Sequence, residues 1–306
     1  MEQTRAMRVL IIGCGYVGLP LGAELARQGH EVFGVRRSPD AGAGLEAAGV
    51  RPLLGDITRP SDLAGWPGGF DWVVNAVSSS KGGVEEYREV YLGGTRHLLG
   101  WLAAEPPRKF VYTSSTGVYG QDDGSVVDET SPTTPLPETS RVLVETERVL
   151  LEAARARNFP AVVLRLAGIY GPGRGYYFKQ FVAGGAALAE GGRRMLNMIH
   201  RDDVAGAIIA ALERGRTGEI YNAVDDEPVT QRAFFRWLAE QLGLPNSAGA
   251  PDAGSPSAKR ALTNKIVSNR KLKEELAYRF RYPTFRVGYA EEVARYLQTR
   301  PAAGPS

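Results

Sequence analysis

The stretch VLIIGCGYVGLPLGAELARQGHEVFGVRR, residues 9–37, decides the fold of this chain. It overlaps a run of apolar residues, Met7–Ile12, which predicts a buried strand. Three glycines and a segment with apolar residues at helical spacing follow, and Gly29 ends the predicted helix. A second apolar run, Glu31–Val35, predicts the next strand. The order of strand, glycine-rich turn, helix and strand indicates one repeat of a parallel sheet.

The three glycines of the turn, Gly13, Gly15 and Gly18, have the spacing GxGxxG between the predicted strand and helix. The first allows a tight turn, the second lets a pyrophosphate approach the backbone, and the third lets the helix pack on the strand. Free N–H groups at the start of the helix attract phosphates. The turn therefore predicts a dinucleotide site, to which we assign the three glycines together with Tyr16 and Val17.

The end of the second predicted strand indicates which dinucleotide binds. An acidic residue there would bind the ribose 2′-hydroxyl and repel a 2′-phosphate. This chain instead has Arg36 and Arg37, whose guanidinium groups suit a phosphate dianion through bidentate hydrogen bonds. The alternative is that both arginines are solvated surface residues. The sequence favours NADP as the cofactor, with NAD as the alternative.

Short apolar runs alternate with amphipathic segments as far as about residue 225. Because near-continuously apolar strands alternate with helices, the sequence predicts an α/β fold, a doubly wound parallel sheet (Rossmann fold) of about seven strands with a smaller C-terminal substrate lobe. The stretch 246–259 is rich in small residues and predicts a mobile loop. The predicted divisions are the dinucleotide-binding domain at 1–170 with 201–225 returning to it, the lobe at 171–200 and 226–300, and a tail at 301–306.

Composition excludes several classes of function. The net charge is only +3, and the basic residues form no block, so we expect neither a nucleic-acid nor a membrane partner. A single cysteine, Cys14, excludes a disulfide within the chain and a cysteine-based zinc cluster. The apolar start lacks the cleavage pattern of a signal peptide. We expect a cytoplasmic protein that binds no metal and acts on a small molecule.

Residues 7–225 resemble one family, the extended or atypical short-chain dehydrogenase/reductases of the NAD-dependent epimerase/dehydratase superfamily. Six stretches carry the resemblance, and FVYTSSTGVYG is the most specific of them. They are LLGDIT at 53–58, VVNAVSSS at 73–80, FVYTSSTGVYG at 110–120, VVLRLAGIYGPG at 162–173, IHRDDVAGAI at 199–208 and GEIYNAVDDEPVT at 218–230.

The resemblance implies how the cofactor would be held beyond the glycine turn. Asp56 would bind the adenine amino group, and Ile57 would pack on the adenine ring. The backbone at Ala76, Val77 and Ser78 would lie under the ribose and the nicotinamide. These five residues complete the predicted cofactor site.

The resemblance also implies where the substrate lies. Ser115, three residues before Val-Tyr-Gly, would contact the reacting carbonyl as the catalytic residue. The segment IYGPGRGYYFKQF, residues 169–181, would contact the substrate through its aromatic and basic residues. A solvated turn is the alternative interpretation of this segment. The predicted substrate-binding residues are Tyr170, Arg174, Tyr176 and Tyr177.

The chain departs from the family at the pair that handles the proton. Family enzymes use the tyrosine of a YxxxK motif, and its lysine lowers the pKa of that tyrosine. Counting back from Arg165 places these positions at Thr139 and Leu143, and a shift of two residues places them at Pro137 and Arg141. None of the 13 tyrosines has a lysine four residues later. The pair is therefore absent from the sequence.

Two hypotheses follow from this departure. The first is an NAD(P)-dependent oxidoreductase or epimerase-like enzyme that acts on a carbonyl or sugar-nucleotide type small molecule with a non-standard proton donor, such as water or a residue of 170–179. In this enzyme Arg141 is a candidate to stabilise an alkoxide. The second is a catalytically inactive NADP-binding or redox-sensing protein of the same fold. Ser115 and the aromatic segment favour the enzyme.

The resemblance also implies an assembly. In the family, helices equivalent to 84–104 and 140–157 often pair across a dimer as a four-helix bundle, so we predict a homodimer. The apolar residues Leu143, Val149 and Leu150 are consistent with such a contact. They are equally consistent with the core of a single chain.

Overall fold

The computed structural model describes residues 5–186, 188–245 and 263–299. The loop predicted at 246–259 and the tail predicted at 301–306 lie outside the described residues. The strands are β1 Arg8–Ile12, β2 Glu31–Arg36, β3 Arg51–Leu54, β4 Trp72–Asn75, β5 Lys109–Ser115, β6 Val126–Val127, β7 Ala161–Leu166, β8 Gly168–Tyr170, β9 Met195–Leu196, β10 Met198–His200, β11 Ile220–Ala223, β12 Val229–Thr230 and β13 Ile266–Val267.

The helices flank these strands. They are α1 Gly18–Arg27, α2 Gly42–Ala47, α3 Pro60–Ala64, α4 Val84–Tyr87, α5 Gly94–Trp101, α6 Glu138–Arg157, α7 Tyr176–Val182, α8 Arg201–Arg214, α9 Gln231–Leu242, α10 Arg270–Leu276, α11 Phe285–Gly288 and α12 Ala290–Thr299.

Seven strands form one sheet in the order β11-β7-β5-β4-β1-β2-β3, and every neighbouring pair is parallel. The chain winds outward from β1 to β2 and β3, then returns to the other side of β1 with β4. The strand order therefore reverses between β1 and β4, which is where α/β sheets open a binding crevice. The predicted doubly wound parallel sheet of seven strands is confirmed.

Both faces of the sheet are buried. Successive residues of a strand point to opposite faces, so each strand contributes to both. In β1, Val9 and Ile11 pack with α1 and α8 residues on one face, and Leu10 and Ile12 pack with a second cluster on the other. All four residues are at most 1% exposed. Helices therefore cover both faces, as near-continuously apolar strands predict.

A third apolar cluster lies among elements that follow the sheet. Phe178 and Phe181 of α7 share this cluster with Phe234 and Phe235 of α9 and with Tyr289. Rings in it stack, for example Phe181 on Phe235 with centroids 5.7 Å apart. Segments from either side of residue 200 are thus joined by one aromatic core, which places α7 beside the carboxyl ends of the sheet strands.

The helix expected over 84–104 is interrupted in the structure. A π-helical segment, Arg88–Gly93, joins α4 to α5, so the prediction of one continuous α-helix is corrected. The rings of Tyr87 and Tyr91 lie 4.8 Å apart, and both residues line the central cleft. A π-helical turn carries an extra residue, so the helix is wider here than the sequence pattern predicted.

Helix α6 begins at Glu138, two residues earlier than the predicted start at Ser140. Leu143 and Leu150 are buried in the two cores on either face of the sheet. Its outer face is charged, and Glu145 pairs with Arg88 and Arg96 at 3.6 and 3.3 Å. Two of the three apolar residues considered for a dimer contact therefore belong to the core of this chain.

Candidate active site

A large cleft of about 1130 Å³ lies along the carboxyl ends of the sheet strands. It is lined by Ile12 at the end of β1, Arg36 at the end of β2, Ala76 after β4, Ser115 at the end of β5 and Leu166 at the end of β7. Pockets for one drug-sized ligand measure about 300–1000 Å³. This cleft therefore has room for a dinucleotide and a second small molecule.

The glycine turn packs too closely for any side chain. Gly13 has φ +81°, and a Cβ there would lie 2.6 Å from the carbonyl oxygen of Ala76. A Cβ at Gly18 would lie 2.8 Å from the carbonyl oxygen of Gly13. The turn thus brings bare backbone to the cleft at Gly13 and Gly15, with Tyr16 and Val17 beside it. This backbone fits the pyrophosphate of a dinucleotide.

The two arginines after β2 lie at one end of the cleft. Arg36 Nη1 donates to the carbonyl oxygen of Cys14 at 3.2 Å, so its guanidinium runs along the glycine turn. Arg37 Nη1 lies 4.0 Å from Asp56 Oδ2. Asp56 Oδ1 accepts a hydrogen bond from the backbone N–H of Thr58 at 2.9 Å, which fixes the carboxylate. Both arginines, Asp56 and the buried Ile57 line this end.

The loop after β4 forms one wall of the cleft, and Ala76, Val77 and Ser78 line it. The carboxylate of Glu86 holds the next residues through backbone N–H groups, with distances of 3.1 Å from Ser80 and 2.9 Å from Lys81. Hydrogen bonds, first from the Ser79 hydroxyl and then from this backbone, lower the pKa of Glu86 to about 2. The carboxylate thus stays charged and keeps the wall ordered.

The hydroxyl groups of Ser115 and Ser140 both lie beside Gly117, just after β5. Ser115 Oγ accepts a hydrogen bond from the backbone N–H of Gly117 at 3.0 Å. A Cβ on Gly117 would lie 3.2 Å from Ser115 Oγ and 3.5 Å from Ser140 Oγ. Both serines line the cleft. Gly117 N–H occupies one lone pair of Ser115 Oγ, and the Ser115 O–H can still donate to a substrate oxygen.

Pro137, just before α6, lines the cleft together with Ser140 and Leu143 of the helix. Each of the two pairs expected from the family motif, Thr139 with Leu143 and Pro137 with Arg141, therefore has only one member in the cleft lining. Arg141 points the other way, because its Nε donates to the carbonyl oxygen of Pro135 at 3.2 Å outside the cleft. The hypothesis that Arg141 stabilises an alkoxide is thus wrong. Thr139 also lies outside the cleft lining.

A buried polar network supports the end of β5 from behind. Ser114 Oγ donates to Glu147 Oε1 at 2.5 Å. Glu147 pairs with Arg165, with 2.8 Å between Oε2 and Nη2, and Arg165 Nη1 donates to Tyr119 Oη at 2.8 Å. Tyr119 Oη in turn donates to Asn222 Oδ1 at 2.8 Å. This chain links β5, α6, β7 and β11 below the serines.

The aromatic segment also lines the cleft, with its four predicted substrate-binding residues Tyr170, Arg174, Tyr176 and Tyr177. Arg174 lies over the ring of Tyr16, 5.0 Å from its centroid, so it closes the segment against the glycine turn. The rings of Tyr176 and Tyr177 lie 5.1 Å apart, edge to face. The cleft side of α7 is therefore aromatic.

Tyr170 differs from the other tyrosines of this segment because its side chain is packed away from bulk solvent. Its ring stacks on Tyr289 with centroids 4.3 Å apart, and its hydroxyl lies against Gly288. Burial raises the pKa of Tyr170 above its ordinary value. A structural role in joining the lobe to β8 fits these contacts better than proton donation.

Several cleft residues were not predicted from the sequence. Ser140 lies next to Thr139, one of the positions expected from the family motif, but belongs to neither expected pair. Arg194 and Lys265 are cations that line the cleft, yet both are at most 8% exposed and stand far from any motif. Lys265 is held in position by Asn197, whose Nδ2 donates to its carbonyl oxygen at 2.9 Å. A contact between residues so far apart in the sequence cannot be predicted from a local sequence pattern.

The three histidines tie backbone segments together and stay out of the cleft lining. His200 caps α8 by accepting from the backbone N–H of Asp202 at 3.2 Å, and His30 accepts from that of Met7 at 3.1 Å. His97 bonds to the carbonyl oxygen of Ile57 at 2.8 Å.

Within the described ranges there is no cluster of metal-ligating side chains, and none of the helices described there is long and apolar enough to cross a membrane.

Comparison with known proteins agrees with this geometry. The model of the NAD dependent epimerase/dehydratase family matches residues 9–223. Protein YeeZ of Escherichia coli (strain K12) is 30% identical over 285 residues, which cover 90% of this chain and 96% of YeeZ. The 3-diazoavenalumate denitrifying reductase of a Streptomyces species is 28% identical over 310 residues, which cover 94% of this chain and 100% of that reductase.

A solved structure shows the same fold. It is the dTDP-glucose 4,6-dehydratase DesIV from Streptomyces venezuelae with NAD and TYD bound, which matches with a TM-score of 0.82 at 24% identity. The match covers 96% of this chain and 98% of DesIV. The family match spans the whole sheet, and the identity to YeeZ extends over nearly the full chain. This chain therefore belongs to the NAD dependent epimerase/dehydratase family.

Proposed function

We propose that this protein is an NADP-preferring oxidoreductase or epimerase-like enzyme that acts on a carbonyl group of a small molecule. The observation that carries the proposal is the position of Ser115. Its hydroxyl lies in the same cleft as the bare glycine turn, at the carboxyl end of β5. A cofactor-binding turn and a hydroxyl suited to orient a substrate oxygen therefore share one cavity. The reductase among the relatives is named for a diazo compound, so it supports a reduction in general and not the carbonyl substrate.

The preference for NADP rests on the charges at the end of β2. Arg36 and Arg37 both line the cleft, where Asp56 is the one carboxylate among the described lining residues. Asp56 is held by Thr58 and faces Arg37. A 2′-phosphate placed between two guanidinium groups would gain charge-assisted hydrogen bonds. NAD would lack that anion and would bind more weakly.

Different residues of the cleft would have different roles in such a reaction. The nicotinamide cofactor, when bound by the glycine turn with Asp56, Ile57 and Ala76–Ser78, supplies hydride transfer. Ser115 donates a hydrogen bond to the reacting oxygen and holds it in place. The proton comes from a non-standard donor. Water or the hydroxyl of Tyr176 or Tyr177 fills this role, since Tyr170 is packed against Gly288.

The proposal is tested by measuring cofactor affinity and turnover on the same protein. Calorimetric titration should show tighter binding of NADPH than of NADH. NADPH should then be consumed with at least one member of a panel of aldehydes, ketones and imines, or a sugar nucleotide should be converted without net consumption of cofactor, because an epimerase-like reaction returns the hydride to its substrate. Equal affinity for both cofactors would contradict the NADP preference. No turnover with any substrate class would contradict the enzyme.

The alternative is a protein that binds NADP without turnover. It is favoured by one observation: the residues at the start of α6 that line the cleft, Pro137, Ser140 and Leu143, include neither a tyrosine nor a lysine. Such a protein would show the same preference for NADPH and no turnover. Ser115 and the aromatic side of α7 favour the enzyme, because cofactor binding alone does not require them.

We also propose that the protein forms a homodimer, as the family resemblance predicts. The contact would be polar, because Glu145, Arg148 and Glu152 lie on the outer face of α6. Sedimentation velocity at micromolar concentration should show a dimer that weakens with added salt, since interactions between exposed charges are screened. A stable monomer at low salt would contradict the proposal.

A further inference from the structure

Arg174 lies beside the glycine turn, although it belongs to the loop between β8 and α7. The centre of its guanidinium group is 5.0 Å from the centroid of the Tyr16 ring, and Tyr16 follows Gly15 in the turn. The residue is exposed and lines the cleft. No carboxylate of the described residues forms an ion pair with it. A guanidinium group is therefore present at the turn without an anionic partner from the described part of the chain.

The loop that carries Arg174 is held against the turn by backbone contacts. Tyr16 Oη donates to the carbonyl oxygen of Pro172 at 3.2 Å. The backbones of Gly171 and Arg174 bond to each other in both directions, each time at 2.9 Å. A Cβ on Gly171 would lie 3.2 Å from Tyr16 Oη, so the loop and the turn are in close contact. The side chain of Arg174 therefore extends from a fixed backbone.

The turn itself has two backbone donors that the described chain does not use. The N–H groups of Tyr16 and Val17 donate to no described backbone acceptor, and they come just before α1, whose N-terminus favours negative charge. In the proposed function this backbone holds the diphosphate of the cofactor. Because exposed side chains change rotamer within nanoseconds, Arg174 can turn from the Tyr16 ring towards a diphosphate bound at Tyr16 N–H.

We propose that Arg174 binds the diphosphate of the nicotinamide cofactor, from the side of the cleft opposite the turn. The inference rests on the proposed function, because it adds a residue to the same cofactor site. The sequence predicted Arg174 as a substrate residue, and its position over Tyr16 favours the cofactor instead. A guanidinium group suits this role because it donates two parallel hydrogen bonds to phosphate oxygens.

Such a contact couples the cofactor to the substrate site. Helix α7 begins at Tyr176, two residues after Arg174, and Tyr176 and Tyr177 line the cleft. A cofactor that holds Arg174 therefore also restrains the aromatic residues at the start of α7. The cofactor binds first, and the substrate site is complete only when the cofactor is bound. Because coupling between two ligands is reciprocal, a bound substrate also slows release of the cofactor.

Calorimetric titration of NADP and of 2′-AMP tests the inference, because 2′-AMP keeps the adenosine and its 2′-phosphate and lacks the diphosphate. Arg174→Met removes the charge and keeps much of the side-chain length. We expect it to weaken NADP binding about ten- to a hundredfold and to leave 2′-AMP binding unchanged. Arg281→Met is the matched control, since Arg281 also lies over a tyrosine ring, 5.4 Å from the centroid of Tyr282, and is absent from the cleft lining.

Hydrogen exchange measures the coupling on the same samples. In the unsubstituted protein, saturating NADP should slow exchange of the backbone amides at 173–180, and 2′-AMP should not. In Arg174→Met, NADP at a concentration that saturates this variant should leave the exchange of 173–180 unchanged. Equal slowing in both proteins would overturn the inference, because the segment would then be ordered without the arginine.

The affinities give further outcomes. Unchanged NADP affinity in Arg174→Met overturns the inference, and so does an equal loss for NADP and 2′-AMP. Titration of UDP distinguishes a second source of diphosphate: a loss for UDP with none for NADP assigns Arg174 to the substrate and overturns the inference. Turnover separates the two claims. The expected loss of NADP affinity without any turnover contradicts the proposed function alone, and turnover with unchanged NADP affinity in Arg174→Met contradicts this inference alone.

Discussion

Glu147 on α6 and Arg165 on β7 form a buried ion pair, with 2.8 Å between Glu147 Oε2 and Arg165 Nη2. Their side chains are 3% and 4% exposed. Each also holds a residue of the β5 end, because Glu147 accepts from Ser114 and Arg165 donates to Tyr119. The pair therefore holds the backbone on either side of Ser115 in place.

We expect loss of one partner to be more destabilising than loss of both. Glu147→Leu leaves the Arg165 guanidinium buried without its counter-ion, which typically costs about 3–5 kcal/mol of unfolding free energy. The double variant Glu147→Leu with Arg165→Met should recover part of that loss. Urea unfolding measures both. Arg148→Ala, at an exposed pair with Glu152, should change stability by at most about 0.5 kcal/mol. A double variant no more stable than Glu147→Leu would contradict this account.

The fold followed from sequence because its signals are local. Val9–Ile12 and Ala161–Leu166 are short apolar runs, and their burial on both faces requires only that helices follow each strand. The π-helical segment at Arg88–Gly93 was not predicted, because its residues have ordinary helical spacing and the extra residue is stabilised by tertiary contact. One such contact is the hydrogen bond from Ser79 N–H to Tyr91 Oη at 3.1 Å.

The site followed from sequence only in part. The glycine turn carries its geometry in its residue types, since φ +81° at Gly13 excludes other residues. The direction of Arg141 could not be predicted, because it depends on where α6 starts and on its bond to Pro135. Lys265 reaches the cleft through pairing of β13 with β6, a contact between segments about 140 residues apart.

Comparison of Gly13→Ala with Gly29→Ala separates the destabilisation caused by a steric clash from the destabilisation caused by a positive φ. Its Cβ would clash with the Ala76 carbonyl 2.6 Å away, so we expect a clear fall in melting temperature and loss of NADPH binding. Gly29→Ala is the control, because Gly29 also has positive φ, at +88°, with nothing within 4 Å. It should cost only about 1–2 kcal/mol and leave cofactor affinity intact. Equal effects of both substitutions would contradict the packing of the turn.

Asp225 should make stability depend on pH. Burial raises the pKa of Asp225 to about 8, above its value in the unfolded chain. The folded state therefore binds this proton more tightly, and its contribution to stability is present below about pH 4 and lost as pH rises towards 8. Asp225→Asn removes the titration, so its stability relative to the unsubstituted protein should increase from pH 5 to pH 8. Urea unfolding at both values measures this, with Asp226→Asn as the exposed control. A gain independent of pH would contradict the shift.

Arg36 and Arg37 should select the cofactor. Replacing both by alanine removes two charge-assisted contacts worth about 1.5–3 kcal/mol each before screening. We expect NADPH affinity to fall by about one to three orders of magnitude and NADH affinity to change little. Calorimetry on both cofactors measures the effect, and Arg27→Ala, at the far end of α1 in a pair with Glu24, is the control. A parallel loss for both cofactors would assign the arginines to a general role.

The central claim is that Ser115 orients a substrate carbonyl beside a bound cofactor, and one comparison tests it most directly. NADPH consumption is measured for Ser115→Ala and for Arg141→Gln, whose side chain lies outside the cleft. Loss of an orienting hydrogen bond lowers turnover by about 10²–10³. The account predicts that fall for Ser115→Ala with NADPH affinity unchanged within a few-fold, and near-normal turnover for Arg141→Gln. Unchanged turnover in Ser115→Ala would place the active site elsewhere.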